Sequence, residues 1–477
     1  MERILTTEQM RQADRFTIDE LGVLEETLVF RAGKAVADEI VKRFHGGRVL
    51  VCIGNGNNGE DGKVIARLLS EKHGFSVTTV NVKNGIFKVF DYKYDLIVDC
   101  IFGTGLNRNV EGKYKTAIEK INASGAYVVA CDIPSGLNGD NGSVMGVAVK
   151  ARLTIAIQEF KTGHFLGEGL DYCGETIAKD IGISIWGEDF VCRINDVTCK
   201  TLFPKRARTV NKGSFGRTIL IGGSKTYSGS AILALNALSA LKMGNGYSTL
   251  IVPECLFSSC MGLYPECVLN AIPEKDGKID YCPDILSRYL NADGIAIGMG
   301  VGVSLEVYLT IKFLLENYSG RLLIDADGLN CLATYGLDVL LNKKCQVVLT
   351  PHIGEFSRLS GFSKQEILMN SLQLSKDFAK KYKVVLLLKS SVSVITDGDR
   401  IFLNTTGNSG MAKAGSGDVL SGLSLGLLTR DEDLLLCTAV GSYLFGKCGE
   451  KAVKHANEYT VTASDFISVL PEVINEL

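Results

Sequence analysis

The densest chemistry in the chain lies in the segment Asn408-Ser409-Gly410-Met411-Ala412-Lys413-Ala414-Gly415-Ser416-Gly417-Asp418-Val419-Leu420. Gly415, Ser416 and Gly417 predict a small-residue turn, and Asp418 begins an apolar helical pattern that runs to Leu428. A turn of this kind at a helix start offers free N–H groups and the positive end of the helix dipole to an anion, with a carboxylate at its mouth. Aspartate at a helix start is also a common N-cap, but glycines on either side of Ser416 favour close ligand approach. Lys389 ends the apolar run 384–388 and is followed by Ser390, Ser391, Val392 and Ser393. A lysine there either reaches a phosphate or marks where the strand surfaces. His352, in Thr350-Pro351-His352-Ile353-Gly354-Glu355, and the string Asp325-Ala326-Asp327-Gly328 also fall at strand ends.

The first half has its own glycine-rich string, Gly54-Asn55-Gly56-Asn57-Asn58-Gly59-Glu60-Asp61-Gly62, between a strand pattern and a helical one. Its backbone can hold a phosphate or carboxylate, although a plain tight turn would use the same glycines. Asp99-Cys100-Ile101-Phe102-Gly103-Thr104-Gly105-Leu106 and Asp132-Ile133-Pro134-Ser135-Gly136-Leu137 place carboxylates at two further strand ends. Either aspartate alone could be a loop cap; three such termini on one parallel sheet converge on one edge and point to a site.

These strings need frameworks to position them, and 477 residues are enough for two domains with separate cores. Hydrophobic residues at 46% and charged ones at 22% fit a chain folded throughout. Lys plus Arg at 51 against Asp plus Glu at 53 gives no overall field for nucleic acid or a membrane surface. The apolar runs fall far short of the roughly 18 residues of a membrane span, and the first residues lack a secretory layout. A cytoplasmic location is expected. The 14 cysteines include no CxxC pair and the 5 histidines no HExxH, so neither disulfides nor zinc are expected. Cys52, Cys100 and Cys131 lie in apolar strand patterns, where cysteine acts as a small hydrophobe.

Strand patterns at 48–53, 76–82, 96–99, 127–131 and 153–157 alternate with helical ones at 7–44, 63–73 and 114–124. A linker-like stretch at 201–212 precedes a second series with strands at 218–222, 294–298, 321–324, 346–350 and 384–389. Both halves therefore read as α/β with parallel sheets, divided into domains 1–205 and 206–477.

The residues Asn57 to Asp61, the FGTGL after Asp99, the DIPSGL from Asp132, and Lys161 with Gly163 resemble the nicotinamide-hydrate epimerase family. The resemblance implies a Rossmann-like three-layer sandwich that binds the hydrated dinucleotide and K+. Asn58, Asp99 and Ser135 match its potassium ligands. Asn57, Asn58, Gly59, Glu60, Asp61, Gly103, Thr104, Gly105, Leu106, Asn107, Arg108, Asn109 and Asp132 match its substrate-binding segments. Amide, carboxylate and hydroxyl oxygens suit a hard, weakly charged cation. Asp132 is the acid/base candidate, ahead of Asp61 and Lys161. Glu60 stands where the family has glycine; at positive φ it would cost about 1 kcal/mol, and its charge would oppose a phosphate.

The second-half motifs, with Lys212-Gly213-Ser214-Phe215-Gly216 and Gly222-Gly223-Ser224, resemble the nicotinamide-hydrate dehydratase family, a ribokinase-like α/β fold. The two resemblances follow each other in the order of the bifunctional repair enzymes. They place Ser230, Gly300, His352 and Asp418 at hydrate-binding positions, with Ser230 replacing the usual alanine. Lys389, Ser390, Ser391, Val392, Ser393, Gly415, Ser416 and Gly417 fall at nucleotide-binding positions, and Asp418 at the catalytic one. The family chemistry implies that ADP, as co-substrate with Mg2+, phosphorylates the hydroxyl of the S-hydrate, and that loss of phosphate restores NADH or NADPH, leaving AMP. The expected partners are the dinucleotide hydrates and ADP, with no nucleic acid and no membrane, in a homo-oligomer. The competing readings are a ribokinase-like vitamin or pyrimidine kinase fused to a Rossmann-like binding domain, and a binding scaffold.

Overall fold

The computed structural model describes residues 1–72, 74–85, 87–187, 190–238 and 243–477. Its contacts divide it into one unit of Arg3–Val191 and another of Met1–Glu2 with Cys192–Leu477.

In the first unit, β1 (Glu2–Leu5), α1 (Thr7–Asp19) and α2 (Glu25–Arg43) precede β2 (Gly47–Ile53), α3 (Asn57–Ser70), β3 (Phe75–Asn81) and β4 (Leu96–Cys100). Then follow α4 (Gly112–Ala123), β5 (Tyr127–Cys131), β6 (Leu153–Ile157), β7 (Phe160–Lys161), α5 (Gly169–Cys173) and β8 (Glu175–Lys179). The sheet runs β3-β2-β4-β5-β6-β8 with every pair parallel. Side chains alternate between its faces: Val49, Val51 and Val98 join the core under α2 and α3, while Leu50, Cys52 and Ile97 join Ala117 and Ile118 of α4. Three layers result, and β4 and β6 are buried along their whole length, as a covered parallel sheet requires. The strand order reverses between β2 and β4, so a crevice opens outside their carboxyl ends. The helical pattern at 7–44 is two helices, broken where Gly22 turns at φ 69°. The pattern at 63–73 is part of a helix that starts earlier, at Asn57; its last residue, His73, lies outside the described residues.

The second unit begins with β9 (Val191–Arg193) and α6 (Asp196–Thr201), followed by β10 (Arg217–Ile221), α7 (Ser228–Leu238), β11 (Tyr247–Pro253), α8 (Glu254–Cys260) and β12 (Val268–Ile272). A small hairpin, β13 (Glu274–Lys275) and β14 (Lys278–Ile279), leads through α9 (Pro283–Leu286) to β15 (Gly294–Ile297), α10 (Leu305–Asn317), β16 (Arg321–Ile324) and α11 (Asp327–Tyr335). β17 (Gln346–Leu349), α12 (Ile353–Ser360), α13 (Lys364–Met369), α14 (Ser371–Tyr382), β18 (Val385–Leu388), β19 (Ser393–Thr396), β20 (Ile401–Asn404), α15 (Ser416–Leu428) and α16 (Leu434–His455) follow. Strands β12-β11-β10-β15-β16-β17-β18 are parallel; β19 and β20 continue the sheet antiparallel, with β9 beside β20. Helix α15 is apolar or small around its circumference and almost wholly buried, as a helix inside a core must be. Residues 192–205, grouped by composition with the first half, contribute Ile194, Cys199 and Leu202 to this unit's core, and Asp196 accepts a 2.7 Å hydrogen bond from Tyr443. None of the 14 cysteines forms a disulfide, and Cys52, Cys100 and Cys131 are buried in the first unit's core. Among the described residues no helix is long and apolar enough to cross a membrane.

Candidate functional sites

At the crevice of the first unit lies a cavity of about 610 Å³. Asn57, Asn58 and Asp61 line it from α3, Gly103 to Arg108 from the loop after β4, and Asp132 and Lys161 from the ends of β5 and β7. Asp14 of α1, which no sequence motif marks, faces the same space. Gly59, Glu60 and Asn109 are not among the lining residues. Gly59 answers a packing need, since a Cβ there would stand 2.3 Å from the Gly54 carbonyl oxygen. Glu60 is helical, so the strain expected at positive φ is absent, and its carboxylate pairs with Lys63 at 2.6 Å while 49% exposed.

Asp132 adopts φ 67°, a left-handed conformation that aspartate tolerates better than most residues. Its backbone N–H donates to Ile155 O (2.9 Å), and its Oδ1 receives the Lys161 ammonium at 2.6 Å. Lys161, 1% exposed, also donates to Ile157 O at 2.6 Å. Burial alone would raise the Asp132 carboxyl, but the Lys161 charge outweighs it and holds the group below the usual carboxylate range. His164 fixes the other side of this turn. Its Nδ1 accepts from Lys161 N (3.0 Å), so Nε2 carries the proton and donates to Asp132 O (2.8 Å). Burial, reinforced by Lys161, pushes His164 down to about 4 and keeps it neutral. Burial pushes Asp61 up to about 8, with Asp132, Asp14 and Glu60 adding repulsion, and lifts Asp14 to about 6.

Of the expected cation ligands, Asp99 and Ser135 are joined directly: Ser135 Oγ donates to Asp99 Oδ1 (2.7 Å) and Ser135 N to Oδ2 (2.8 Å). Phe102 N donates to Ser135 Oγ (2.8 Å), which pins the loop after β4. Asn58 reaches this loop, its Cβ 3.5 Å from where a Cβ on Gly103 would stand. The carboxamide oxygen and nitrogen of Asn58 are both buried without a partner, a costly state that suits an oxygen donor awaiting a ligand. Burial lifts the fully covered Asp99 to about 6 against its three hydrogen bonds. The trio thus supplies carboxylate, hydroxyl and amide oxygens around one loop.

The second site gathers at the carboxyl ends of β16 and β18 and the start of α15. Gly415 takes φ 88° as the N-cap of α15, so Asp418 is not the cap; its carboxyl lies near the Ser230 hydroxyl. Lys389 donates to Asp325 Oδ1 at 2.8 Å, and Ser421 donates to Oδ2 at 2.6 Å. A Cβ on Gly417 would stand 3.6 Å from Lys389 Nζ, which puts the ammonium beside the free N–H groups of the helix start. Gly300, at φ 68°, allows a close approach: a Cβ there would lie 2.7 Å from Tyr227 O and 2.9 Å from Ser230 Cβ. Ser230, Gly300, Gly417, Asp418 and Lys389 are therefore neighbours. Burial and then the charge of Asp325 push Asp418 up to about 7, opposed by Ser230 and Lys389. Burial also opposes ionisation of Asp325, but Lys389 and Ser421 hold its carboxyl below the usual range.

His352 lies next to this group through a backbone bridge to Lys389, but its ring is 55% exposed and caps α12, Nδ1 accepting from Gly354 N (2.9 Å) and Glu355 N (3.2 Å). Ser390 and Ser391 are exposed at the turn, whereas Val392 and Ser393 are buried where β19 begins. Ser416 Oγ is buried without a partner beside the helix start. Asp325 and Ser421 are the functional neighbours that sequence reasoning left without a role. Only the strand-end position of Asp325 hinted at one.

Residues 218–472 match the family described as NAD(P)H-hydrate dehydratase, and residues 25–88 and 83–163 match that described as YjeF-related protein N-terminus. The chain is 32% identical over 511 residues to the bifunctional NAD(P)H-hydrate repair enzyme Nnr of Thermofilum pendens, with 100% of this chain and 97% of that protein covered. A solved ADP/ATP-dependent NAD(P)H-hydrate dehydratase from Bacillus subtilis, co-crystallised with ATP and Mg2+, superposes with a TM-score of 0.52 at 28% identity, covering 60% of this chain and 98% of that one. A ribokinase-like superfamily protein from Enterococcus faecalis shares the fold, with a TM-score of 0.50 at 24% identity over 61% of this chain and 98% of its own.

Proposed function

Because the chain belongs to the family of bifunctional NAD(P)H-hydrate repair enzymes, we propose that its first unit epimerises the R- and S-hydrates and its second returns the S-hydrate to NADH or NADPH at the expense of ADP. The observation that carries the dehydratase reading is Asp418, a carboxyl poised near neutrality by burial and Asp325 beside the Lys389 ammonium and the N–H groups of Gly415 to Gly417. Asp418 takes the proton of the ring hydroxyl as its oxygen attacks the terminal phosphorus of ADP. Lys389, restrained by Asp325, and the helix-start N–H groups stabilise charge on the moving phosphoryl group, and AMP leaves. Phosphate, a far better leaving group than hydroxide, then departs with the C–O bond pair; loss of a proton from the neighbouring ring carbon restores the double bond. Mg2+ belongs with the nucleotide phosphates, as the co-crystallised Bacillus subtilis neighbour supports.

In the first unit the unpartnered Asn58 amide, with Asp99 and Ser135, fits K+. Bound there, the cation would neutralise part of the negative charge around the substrate. Asp132, kept ionised by Lys161, accepts the proton released as the hydroxyl-bearing carbon is remade. Asn57, Asn58 and Asp61 with the segment from Gly103 to Arg108 hold the dinucleotide. Incubating the full chain with chemically hydrated NADH of both epimers, with ADP or ATP, should return the absorbance of the reduced ring from the whole mixture and release free phosphate. A stable phosphorylated product without reduced dinucleotide would instead favour a small-molecule kinase.

A further inference from the structure

Inverting a carbon that bears a hydroxyl beside a ring nitrogen by loss and re-addition of that oxygen takes one proton given to the oxygen that leaves and another taken from the oxygen that arrives. In the resting site Asp132 stands as an acceptor, because the Lys161 ammonium at 2.6 Å favours its ionised form. The donor has to come from elsewhere in the cavity. Asp61 lines the same space at the start of the second turn of α3 and is 9% exposed. The helix is pressed tightly onto the sheet here, since a Cβ on Gly62 would stand 2.7 Å from Ile53 Cγ2 and 2.8 Å from Cys100 Cβ. Helix α2 closes over the other side, a Cβ on Gly33 reaching 2.8 Å from Asp61 O. Among the described residues no cation and no hydrogen-bond donor reaches the Asp61 carboxyl.

Around it stand Arg11 and Asp14 of α1, Glu25 of α2, Glu60 on its own helix, the Cys100 thiol on β4, and the Asp132–Lys161 pair. Negative groups outnumber positive ones, and the Lys161 ammonium that lines the cavity is already engaged by Asp132. Burial and this repulsion push Asp61 up to about 8. Two carboxyl groups of one cavity, held in opposite protonation states, are what an acid and base pair requires.

We propose that Asp61 is the general acid of the epimerisation, giving its proton to the hydroxyl oxygen of the hydrate while Asp132 serves as the base. The C–O bond breaks with its electron pair leaving on water, and the lone pair of the ring nitrogen forms a planar C=N bond. Water then adds to the opposite face and passes a proton to Asp132, which returns it to Asp61 through solvent before the next turnover. The reverse direction passes through the same states, starting from the less populated form in which Asp132 carries the proton and Asp61 is ionised. The inference rests on the reading of this unit as the epimerase.

The test uses the full chain in potassium buffer without ADP, starting from pure R-hydrate, with the epimers separated by chromatography and the spontaneous rate subtracted. The parent rate should fall as pH rises through about 8, the range in which Asp61 loses its proton. Asp61→Asn should lower kcat by roughly 10²-fold or more with KM changed less than about threefold, and should lack that alkaline limb. A rise in melting temperature with K+ equal to the parent's would certify that the first unit of the variant is folded, since dehydration reports only on the second. In oxygen-18 water each inversion by the parent should place one labelled oxygen in the product hydroxyl. Epimerisation by Asp61→Asn within about threefold of the parent, a parent rate flat through pH 8, or inversion without label would each overturn the proposal. Absence of any R-to-S conversion by the parent would overturn the epimerase reading itself, a result distinct from a parent and a variant that both epimerise.

Discussion

Replacing Asp418 with asparagine separates chemistry from stability. The carboxyl rises from an ordinary 3.8 to about 7 in the fold, so its charged form is disfavoured there relative to the unfolded chain. For an acid raised in this way, the folded protein binds the extra proton between those two values; stability falls as pH climbs through the interval and stays lower above it. The full cost is at most about 4 kcal/mol, from roughly 3 units at 1.36 kcal/mol each, and less because the group is partly exposed. Asparagine keeps the shape and carries no charge. Asp418→Asn should therefore melt several degrees above the parent near pH 8, with the difference fading toward pH 4. Dehydration should move the other way, dropping about 10²- to 10⁴-fold for want of a base. The assays are melting curves at both pH values and recovery of reduced-ring absorbance from S-hydrate with ADP, with ADP binding and R-to-S conversion as controls. Dehydration near the parent rate would refute the role of Asp418 as base, and a lower melting temperature at pH 8 would refute the burial argument.

Lys389→Met should cost about 3–5 kcal/mol in denaturant unfolding by leaving Asp325 buried with only neutral donors such as Ser421, and adding Asp325→Asn should recover part of that loss. Gly300→Ala forces a side chain onto φ 68° and into Tyr227 O; dehydration should fall by at least about tenfold while epimerisation is unchanged. Glu60→Gly should leave epimerisation within about twofold of the parent, because Glu60 pairs with Lys63 outside the cavity lining. K+ should raise the melting temperature of the parent but not of Asn58→Leu, which removes an unpartnered buried amide along with a potassium ligand.

The sequence by itself determined what depends on near neighbours. Continuous apolar runs such as 96–99 and 153–157 demanded covered parallel strands, and the glycine strings at 54–62 and 415–417 demanded turns into helices, because periodicity and backbone conformation are local properties. The positions of Asp99, Asp132 and Asp418 at such ends were legible for the same reason. What each side chain does there was not. Lys389 finds Asp325 64 residues away, Lys161 finds Asp132 across 29, and Ser135 finds Asp99 across 36. Those distances are closed only when the strand order brings the ends together. Residues 192–205 look like the tail of the first half, yet their apolar side chains are buried in the second unit's core. The contrast between an ionised Asp132 and a protonated Asp61 belongs wholly to tertiary structure, because both are plain aspartates in sequence. A carboxyl's charge is set by the desolvation and fields that packed helices impose, and packing of α1, α2 and α3 over one crevice gave one aspartate a lysine and the other only like charges.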